Sequence, residues 1–382
     1  MPKAVHIKNL RATTEGPVSR VCADVDGAPL WFESDDVRLG ASPEAFGCAM
    51  LPAAFAREAD LIVEATLDET WTANVRAVQD VWRRWWGGRK VDLRSKGQES
   101  RDTPRAKGKA LCFSGGVDSF YTLLQGGFGF DHLVLVHGYD IELSDQTRFA
   151  AAEASLREIA AAVGAKAVVI RTNLREHPTF VDANWEKAHG GALVAVGHLL
   201  TDTVGLLVLS ASYPYCYDHP WGSHWDTDPL WSSSVLEIVH FGADQWRADK
   251  LRTIAGKELV RNHLRVCWKN LSEQGNCGRC EKCIRTMLIL AGAGQLADFP
   301  VFGGGADLPD RVRELPPLPR QLVKVYGDFP RDGMDPAVAA ALEALLARSR
   351  FVRFRRFLSM KWLGRRISGL ARRCMGKGGT LR

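Results

Sequence analysis

The chain has 382 residues, of which 46% are hydrophobic and 25% charged, a balance that fits an ordinary globular protein and excludes a disordered or fibrous one. Its net charge of +6 is uneven: residues 348–382 carry 12 basic and no acidic residues, so the remainder carries 38 basic against 44 acidic residues. Nine cysteines, clustered toward one end, indicate a metal site or free thiols in a reducing compartment rather than a disulfide framework.

Residues 1–90 are predicted to form a small N-terminal accessory domain of α+β structure. The chain begins without the apolar core of a secretion signal, so we expect a cytoplasmic protein. The dipeptide Asp26-Gly27 between two β-forming stretches predicts a hairpin, and a helix is predicted over 68–86. Residues 91–108 are polar and basic and are expected to be a linker.

From residue 109 onward, apolar strands alternate with helices, a pattern typical of a parallel sheet that is covered on both faces. Residues 109–295 are therefore predicted to form an α/β domain with a Rossmann-like parallel sheet, whose ligands lie at the carboxyl ends of the strands. The clearest helix is 146–163, because it stops at Gly164. We expect no transmembrane span, since polar residues interrupt the most apolar segment, 191–212. Strands are predicted at 110–113, 132–136, 166–171, 204–210 and 235–240.

The most informative segment joins the first of these strands to a helix. It reads Ser114-Gly115-Gly116-Val117-Asp118-Ser119. Adjacent glycines let a backbone approach a ligand closely, and a helix start directs unpaired N–H groups toward an anion. The two serines add hydroxyl groups, and Asp118 can hold the Mg²⁺ that accompanies a polyphosphate. No Gly-Lys-Ser/Thr ending follows, so this is not a Walker A loop; the alternative is a chance glycine turn.

The segment resembles the pyrophosphatase loop (Ser-Gly-Gly-x-Asp-Ser) of the PP-loop ATP pyrophosphatase superfamily, whose sheet is of the HUP type. The resemblance implies that the chain cleaves ATP between its α- and β-phosphates and transfers AMP to a substrate oxygen. It implies that the six loop residues bind ATP, with Asp118 and Ser119 also catalytic. Nitrogen or sulfur then displaces the AMP.

A cysteine cluster near the end of the domain predicts a metal site. Cys277, Cys280 and Cys283 follow one another at intervals of three, and Cys267 lies ten residues upstream. Four thiolates with no open position describe a closed structural Zn²⁺ site. An iron–sulfur cluster uses the same ligands, and free buried cysteines are the third alternative.

The loop followed by Cys-x9-Cys-x2-Cys-x2-Cys is similar to the 7-cyano-7-deazaguanine synthase family over roughly residues 105–295. The resemblance implies that the four cysteines bind zinc. It also implies that Arg247, at the position of a family lysine, faces phosphate; the alternative is an exposed arginine at a helix start. The family's Tyr-Gly-Gln-(Lys/Arg)-His and Pro-Ala-Arg-Asn segments are absent, with 137–142 and 186–191 in their places. We therefore expect the ATP chemistry on a substrate other than the queuosine precursor.

Residues 213–231, between the fourth and fifth strands, are the predicted substrate loop. Aromatic rings there can stack on a ligand, and His and Asp can orient it or move protons. The candidates are Tyr213, His219, His224 and Asp226. The alternatives are a tryptophan-rich flap packed on the core, or a second metal held by His219, His224, Asp226 and Cys216.

Two further histidines follow predicted strands or open predicted helices near the ligand edge. His189 precedes a Gly-Gly pair and is either catalytic or a helix-start hydrogen-bonding residue. His137 lies just past the second strand, where it can contact adenosine. With these residues we expect an ATP-dependent ligase, in which a carboxylate or carbonyl oxygen is adenylated and then attacked by ammonia or an amine.

Two other function classes fit the same loop. Sulfur transfer to RNA or to a small molecule would need a thiol from Cys112 or Cys216. A nucleotide-binding regulatory module would never turn over ATP. The predicted N-terminal domain, 1–90, would select substrate or form homodimer contacts.

The predicted C-terminal segments are an extension, 296–347, and a basic amphipathic tail, 348–382. In the tail, apolar residues recur at steps of three and four among arginines. Such a helix can lie on an anionic membrane surface, contact RNA phosphates, or pack on the protein itself. The apolar residues are Phe351, Phe354, Leu358 and Trp362.

Overall fold

The structure is a computed structural model that describes residues 4–101, 103–272, 275–303 and 305–352. The chain divides into two compact units, Met1–Cys277 and Gly278–Arg382. The basic tail lies outside the described residues except for its first five, 348–352, so its predicted membrane, RNA or intramolecular contacts lie outside them too.

One sheet forms the centre of the first unit. Its strands are β1 (Ala4–Glu15), β2 (Val18–Val25), β3 (Ala28–Ser34), β4 (Asp60–Asp68), β5 (Leu93–Glu99), β6 (Gly108–Cys112), β7 (His132–His137), β8 (Lys166–Thr172), β9 (Val204–Ser210) and β10 (Glu237–Phe241). Their order is β10-β9-β6-β7-β8-β3-β2-β1-β4-β5. Strands β10 to β8 are parallel, β8 to β1 pair antiparallel, and β1, β4 and β5 are parallel again.

Helices connect the strands of the first unit and form the described part of the second. The first unit contains α1 (Pro43–Ala56), α2 (Glu69–Trp86), α3 (Val117–Gln125), α4 (Gln146–Val163), α5 (Trp185–Leu199), α6 (Arg247–Ile254) and α7 (Glu258–His263). The second contains α8 (Glu281–Gly292), α9 (Leu308–Glu314), α10 (Arg320–Gly327) and a helix at 336–352. Within the described residues, no helix is both long and apolar enough to cross a membrane.

The α/β class and the mostly parallel sheet are confirmed. The five predicted strands correspond to β6 to β10, and the helix 146–163 is α4, whose C-cap Gly164 is left-handed with φ 72°. The hairpin at Asp26-Gly27 also forms, between β2 and β3. Alternation of apolar strands with amphipathic helices was sufficient to locate these elements.

The N-terminal strands are part of the same sheet as the later ones. Strand β3 pairs with β8 at Phe32–Thr172 and Glu33–Arg171, and Ser34 Oγ donates to the carbonyl of Val169 at 2.7 Å. Residues 93–99, in the segment expected to be a linker, form β5 at the edge of the sheet. An edge strand exposes one side to solvent, which explains why its sequence is so polar.

Candidate functional site

The Ser114–Ser119 loop joins the carboxyl end of β6 to the first turn of α3. Gly115 has φ 75°, a left-handed conformation that other residues adopt at a cost, and Gly116 is the helix N-cap. Among the described residues, no side chain caps α3. The helix therefore starts with a glycine N-cap and no side-chain acceptor for its first-turn N–H groups.

A second segment of the chain lines the loop. The N–H of Arg265 donates to the carbonyl of Gly115 at 2.8 Å, and a Cβ placed on Gly115 would lie 3.5 Å from Cβ of Arg265. A Cβ placed on Gly116 would lie 3.8 Å from Nη2 of Arg247. Glycine at both positions thus leaves room between the loop and two arginine-bearing segments.

Asp118, in the first turn of α3, is paired with two cationic groups of α6. Arg247 Nη1 lies 3.4 Å from Asp118 Oδ2, and Lys250 Nζ lies 3.4 Å from Asp118 Oδ1. The Lys250 ammonium also donates to the carbonyl of Ala211 at 2.7 Å and is 1% exposed. Burial lowers the pKa of Lys250, and the carboxylate of Asp118 opposes that shift. The structure therefore brings the predicted Arg247 to the predicted loop.

Sequence reasoning missed Lys250. A signal was present, because residues three apart on a helix share one face, and Lys250 lies three residues after Arg247. A fully buried lysine was not expected, since lysines are rarely buried unless paired.

The two serines of the loop have different environments. Ser114 is exposed. Ser119 is 4% exposed, and its hydroxyl donates to the carbonyl of Gly116 at 3.0 Å, within the loop itself. Ser119 thus stabilises the turn itself, whereas Ser114 is open to solvent.

His137, predicted to contact adenosine, is fully buried at the end of β7. Its ring stacks on Phe149 with centroids 3.8 Å apart, and Nε2 lies 2.9 Å from the carbonyl of Glu142. Burial lowers the pKa of His137. The side chain therefore packs in the interior rather than extending into the loop region.

The predicted substrate loop leaves β9 and carries a connected set of aromatic rings. Ring centroids are 5.2 Å apart for Tyr213 and His219, and 5.5 Å apart for Tyr213 and Trp221. We call the aromatic cluster the five residues Tyr213, Tyr217, His219, Trp221 and Trp246. None of them is buried. Two predicted residues, Tyr213 and His219, therefore belong to one partly exposed surface.

The other two predicted loop residues, His224 and Asp226, are not among these five, although His224 Nε2 lies 3.3 Å from Asp218 Oδ1. His224 is 1% exposed, and its ring lies 3.7 Å from Trp225 and 4.6 Å from Trp85. Its Nδ1 accepts the N–H of Asp226 at 3.0 Å, and burial lowers its pKa. Asp226 itself is exposed. The packing of His224 is that of a residue that stabilises the loop.

Asp228, which the sequence did not single out, anchors the loop to β10. This carboxylate is fully buried and accepts from Ser223 Oγ at 2.6 Å, the N–H of His224 at 3.1 Å and Nδ1 of His240 at 2.7 Å. A buried carboxylate persists only with such donors. Asp228 therefore ties Ser223 and His224 of the loop to His240 of β10.

His189 lies in the second turn of α5, at the inner side of the aromatic cluster. Its ring centroid is 5.4 Å from that of Trp221, and its Nδ1 lies 3.1 Å from the carbonyl of Trp185. Because a carbonyl only accepts, Nδ1 carries the proton and Nε2 keeps the lone pair. Burial lowers the pKa of His189, which favours the neutral ring.

Because Gly190 and Gly191 have no side chains, the loop backbone at Gly222 and the backbone of α1 both pack closely against α5. A Cβ on Gly190 would lie 1.9 Å from the carbonyl oxygen of Gly222, and a Cβ on Gly191 would lie 2.5 Å from that of Cys48 in α1. The substrate loop therefore rests directly on the backbone of α5, beside His189.

The four predicted cysteine ligands come together. The Sγ atoms of Cys267, Cys277, Cys280 and Cys283 all lie within 4.8 Å of one another. Four sulfurs grouped in this way can hold a metal ion such as zinc. Zinc–sulfur bonds of about 2.3 Å would place the sulfurs slightly under 4 Å apart, close to the spacing seen here. In the described part of the chain, His219, His224, Asp226 and Cys216 form no comparable group.

Comparison of the sequence with protein-family models finds no match, and comparison with curated proteins finds none either. The functional interpretation therefore depends on the residues and geometry described above.

Proposed function

We propose that the protein is an ATP-dependent ligase of the PP-loop type, which releases pyrophosphate, forms an AMP ester of a substrate carboxylate or carbonyl oxygen, and passes the activated group to ammonia or an amine. One observation carries the proposal. An uncapped helix start, a left-handed glycine and two cationic side chains of α6 converge at the Ser114–Ser119 loop.

In the first step the substrate oxygen attacks the α-phosphorus and pyrophosphate leaves. The N–H groups of the loop and of the first turn of α3 bind the departing oxygens. Arg247 and Lys250 supply positive charge at the same place, and they need no large rearrangement because Asp118 already holds them there. Fixed donors at a leaving group are the main source of rate in phosphate chemistry.

The site could hold Mg²⁺ if the phosphates of bound ATP supplied most of its ligands. Mg²⁺ is commonly held by one or two carboxylates plus substrate phosphates, and Asp118 offers one carboxylate, paired with cationic groups in this structure. When bound, the ion would neutralise charge on the leaving pyrophosphate.

In the second step the nitrogen nucleophile must lose a proton. His189 is suited to accept it, since its Nε2 keeps the lone pair and burial favours the neutral ring. A general base must be unprotonated before it acts, and a neutral His189 ring meets that condition at Nε2. His189 thus stays the proposed catalytic base, while Asp118 and the loop act on ATP.

The sulfur-transfer alternative needs a reactive thiolate near the loop. Cys112 ends β6, just before Ser114, but burial raises the pKa of its thiol to about 12. A thiol in that state is a poor nucleophile at neutral pH. Cys216 is exposed and stays available to that alternative.

A pyrophosphate-release screen of carboxylic acids with ammonium tests the proposal. We expect acid-dependent conversion of ATP to AMP and pyrophosphate. Replacing Asp118 with Asn should lower this turnover by a factor of at least about 100 without unfolding the protein, because a preorganised charge is worth roughly 3 kcal/mol at a transition state.

Asp202→Asn is the matched control, since Asp202 is an exposed carboxylate in the turn before β9. Full turnover in Asp118→Asn would contradict the mechanism. Tight ATP binding with no pyrophosphate from any acid would favour a regulatory module, and thiolated product would favour sulfur transfer.

A further inference from the structure

The aromatic cluster connects the phosphate side of the site to His189. Trp246 directly precedes Arg247, and its ring centroid is 5.8 Å from that of Tyr217. Tyr217 in turn lies 5.5 Å from Tyr213, which lies 5.5 Å from Trp221. Trp221 completes the path at 5.4 Å from the His189 ring.

Tyr213 meets two rings of the cluster at steep angles, whereas the planes of Tyr213 and Tyr217 are 40° apart and those of Tyr217 and Trp246 are 48° apart. The planes of Tyr213 and Trp221 are 88° apart, and those of Tyr213 and His219 are 76° apart. None of the five rings is buried, so each keeps part of its surface open to solvent. The faces of aromatic rings attract cations, ammonium groups among them.

The charge of this region also favours a cation. Residues 211–246 contain no lysine or arginine and five acidic residues. Asp218 lies between two cluster residues in the sequence and has a side chain 69% exposed. Asp244 is exposed two residues before Trp246. Within this segment the residues around the cluster are therefore aromatic and acidic, and the first basic residues that follow are Arg247 and Lys250, which pair with Asp118.

We propose that the aromatic cluster binds an organic primary amine in its ammonium form, as the nitrogen donor of the ligase reaction. The donor role depends on the proposed function; the binding does not. An organic amine fits better than free ammonium because five rings offer far more apolar surface than one small ion covers, and buried CH₂ groups add affinity.

The chemistry balances with groups already in place. His189 Nε2 takes one proton from the ammonium, and the freed amine attacks the acyl carbon of the adenylate. A C–N bond forms, the C–O bond to phosphate breaks, and AMP leaves with the bonding electrons. The second N–H proton passes to solvent, which gives an amide. His189 lies beside Trp221, so base and ammonium would be neighbours.

Saturation-transfer NMR on the full chain, with n-butylammonium as the probe and 1-butanol as its neutral isostere, tests the binding. We expect saturable binding of n-butylammonium and at least tenfold weaker binding of 1-butanol. Tyr217→Leu or Trp221→Leu should weaken butylammonium binding about tenfold, as the loss of one desolvated cation–π contact predicts.

Tyr215→Leu is the matched control, because Tyr215 is 57% exposed in the same loop and its ring contacts Trp225 rather than the cluster. Melting curves show whether each variant is folded. Equal binding of 1-butanol, or unchanged butylammonium binding in folded Tyr217→Leu and Trp221→Leu, would overturn the proposal.

Pyrophosphate release, measured in parallel without any amine, separates this proposal from the proposed function. Acid-dependent pyrophosphate with no cluster-dependent binding of butylammonium would refute the amine site and leave the adenylation intact. Cluster-dependent binding without pyrophosphate from any acid would support the ammonium site and refute the ligase.

Discussion

Lys250 is a charged group that the fold keeps almost entirely from water, in contact with Asp118 and the carbonyl of Ala211. A buried ammonium is costly unless it is paired, and these two partners supply that pairing. Lys250 lies on the same helix as Arg247, so both cations reach the loop from one rigid element. Of the two cations, Lys250 is the more deeply buried, with a side chain 1% exposed against 23% for Arg247.

Replacing Lys250 with Met should lower ATP affinity about tenfold, because a hydrogen bond to a charged group is worth roughly 1.5–3 kcal/mol. The melting temperature should fall, because the carboxylate of Asp118 and the carbonyl of Ala211 each lose a buried partner. Isothermal titration with ATP and magnesium measures the affinity. Lys257→Met, at an exposed site after α6, is the control; equal ATP affinity in both variants would remove Lys250 from the site.

Residue patterns predicted the loop and the four cysteines because both are local in sequence. Lys250 and Asp228 could not be found in that way, since their partners come from distant segments. Asp228 binds His240 of β10, and Lys250 binds Ala211 after β9. The order of the strands in the sheet decides which polar side chains are buried together. A local sequence pattern does not predict that order.

At the scale of elements, the close contact between α5 and the substrate loop sets the position of the aromatic cluster. Gly222 donates its N–H to the carbonyl of Glu186 at 2.8 Å, and a Cβ on Gly222 would lie 2.6 Å from Nδ1 of His189. Small residues are required on both sides of this contact. Gly190 and Gly191, which we predicted to lie at a helix start, are in the second turn of α5, where they form a packing surface.

Gly190→Ala should therefore destabilise the protein by about 1–3 kcal/mol, the usual cost of overpacking, and displace the loop from His189. Chemical denaturation measures the free energy of unfolding. Gly256→Ala is the matched control, because nothing lies within 4 Å of a Cβ built there. Equal stability of the two variants would show that the contact is not tight.

At the scale of the whole molecule, burial lowers the pKa of six of the ten histidines. These residues are His132, His137, His177, His189, His198 and His224. Each binds protons less readily in the folded chain than in the unfolded one, where the pKa is about 6.5. As pH falls through that value the unfolded state gains protons first, so folding loses stability.

We expect the melting temperature to fall between pH 7.5 and pH 5, with most of the loss below about pH 6.5. Differential scanning fluorimetry across this range measures it. His198→Gln should reduce the slope, since the His198 ring is buried, with Nε2 2.9 Å from the carbonyl of Trp231. His6→Gln, at an exposed site, should not. A melting temperature that is flat or higher at pH 5 would be inconsistent with buried neutral histidines.

The fold class followed from the alternation of strands and helices, whereas the joining of the N-terminal strands to the main sheet did not. Apolar stretches in 1–34 indicate strands but not their neighbours, and a hairpin with one open edge has many candidate partners. The pairing of β3 with β8 joins residues such as Ser34 and Val169, which are 135 positions apart. Pairings at that separation depend on the assembled sheet.

That pairing has a consequence for how the polypeptide matures on the ribosome. Synthesis proceeds from the N-terminus, so β2 and β3 emerge well before β8 exists. Until β8 is made, the edge of β3 that pairs with it has no strand partner for its backbone N–H and C=O groups. Loop closure over such a span is slow. The nascent hairpin is therefore the stage at which a chaperone would matter most.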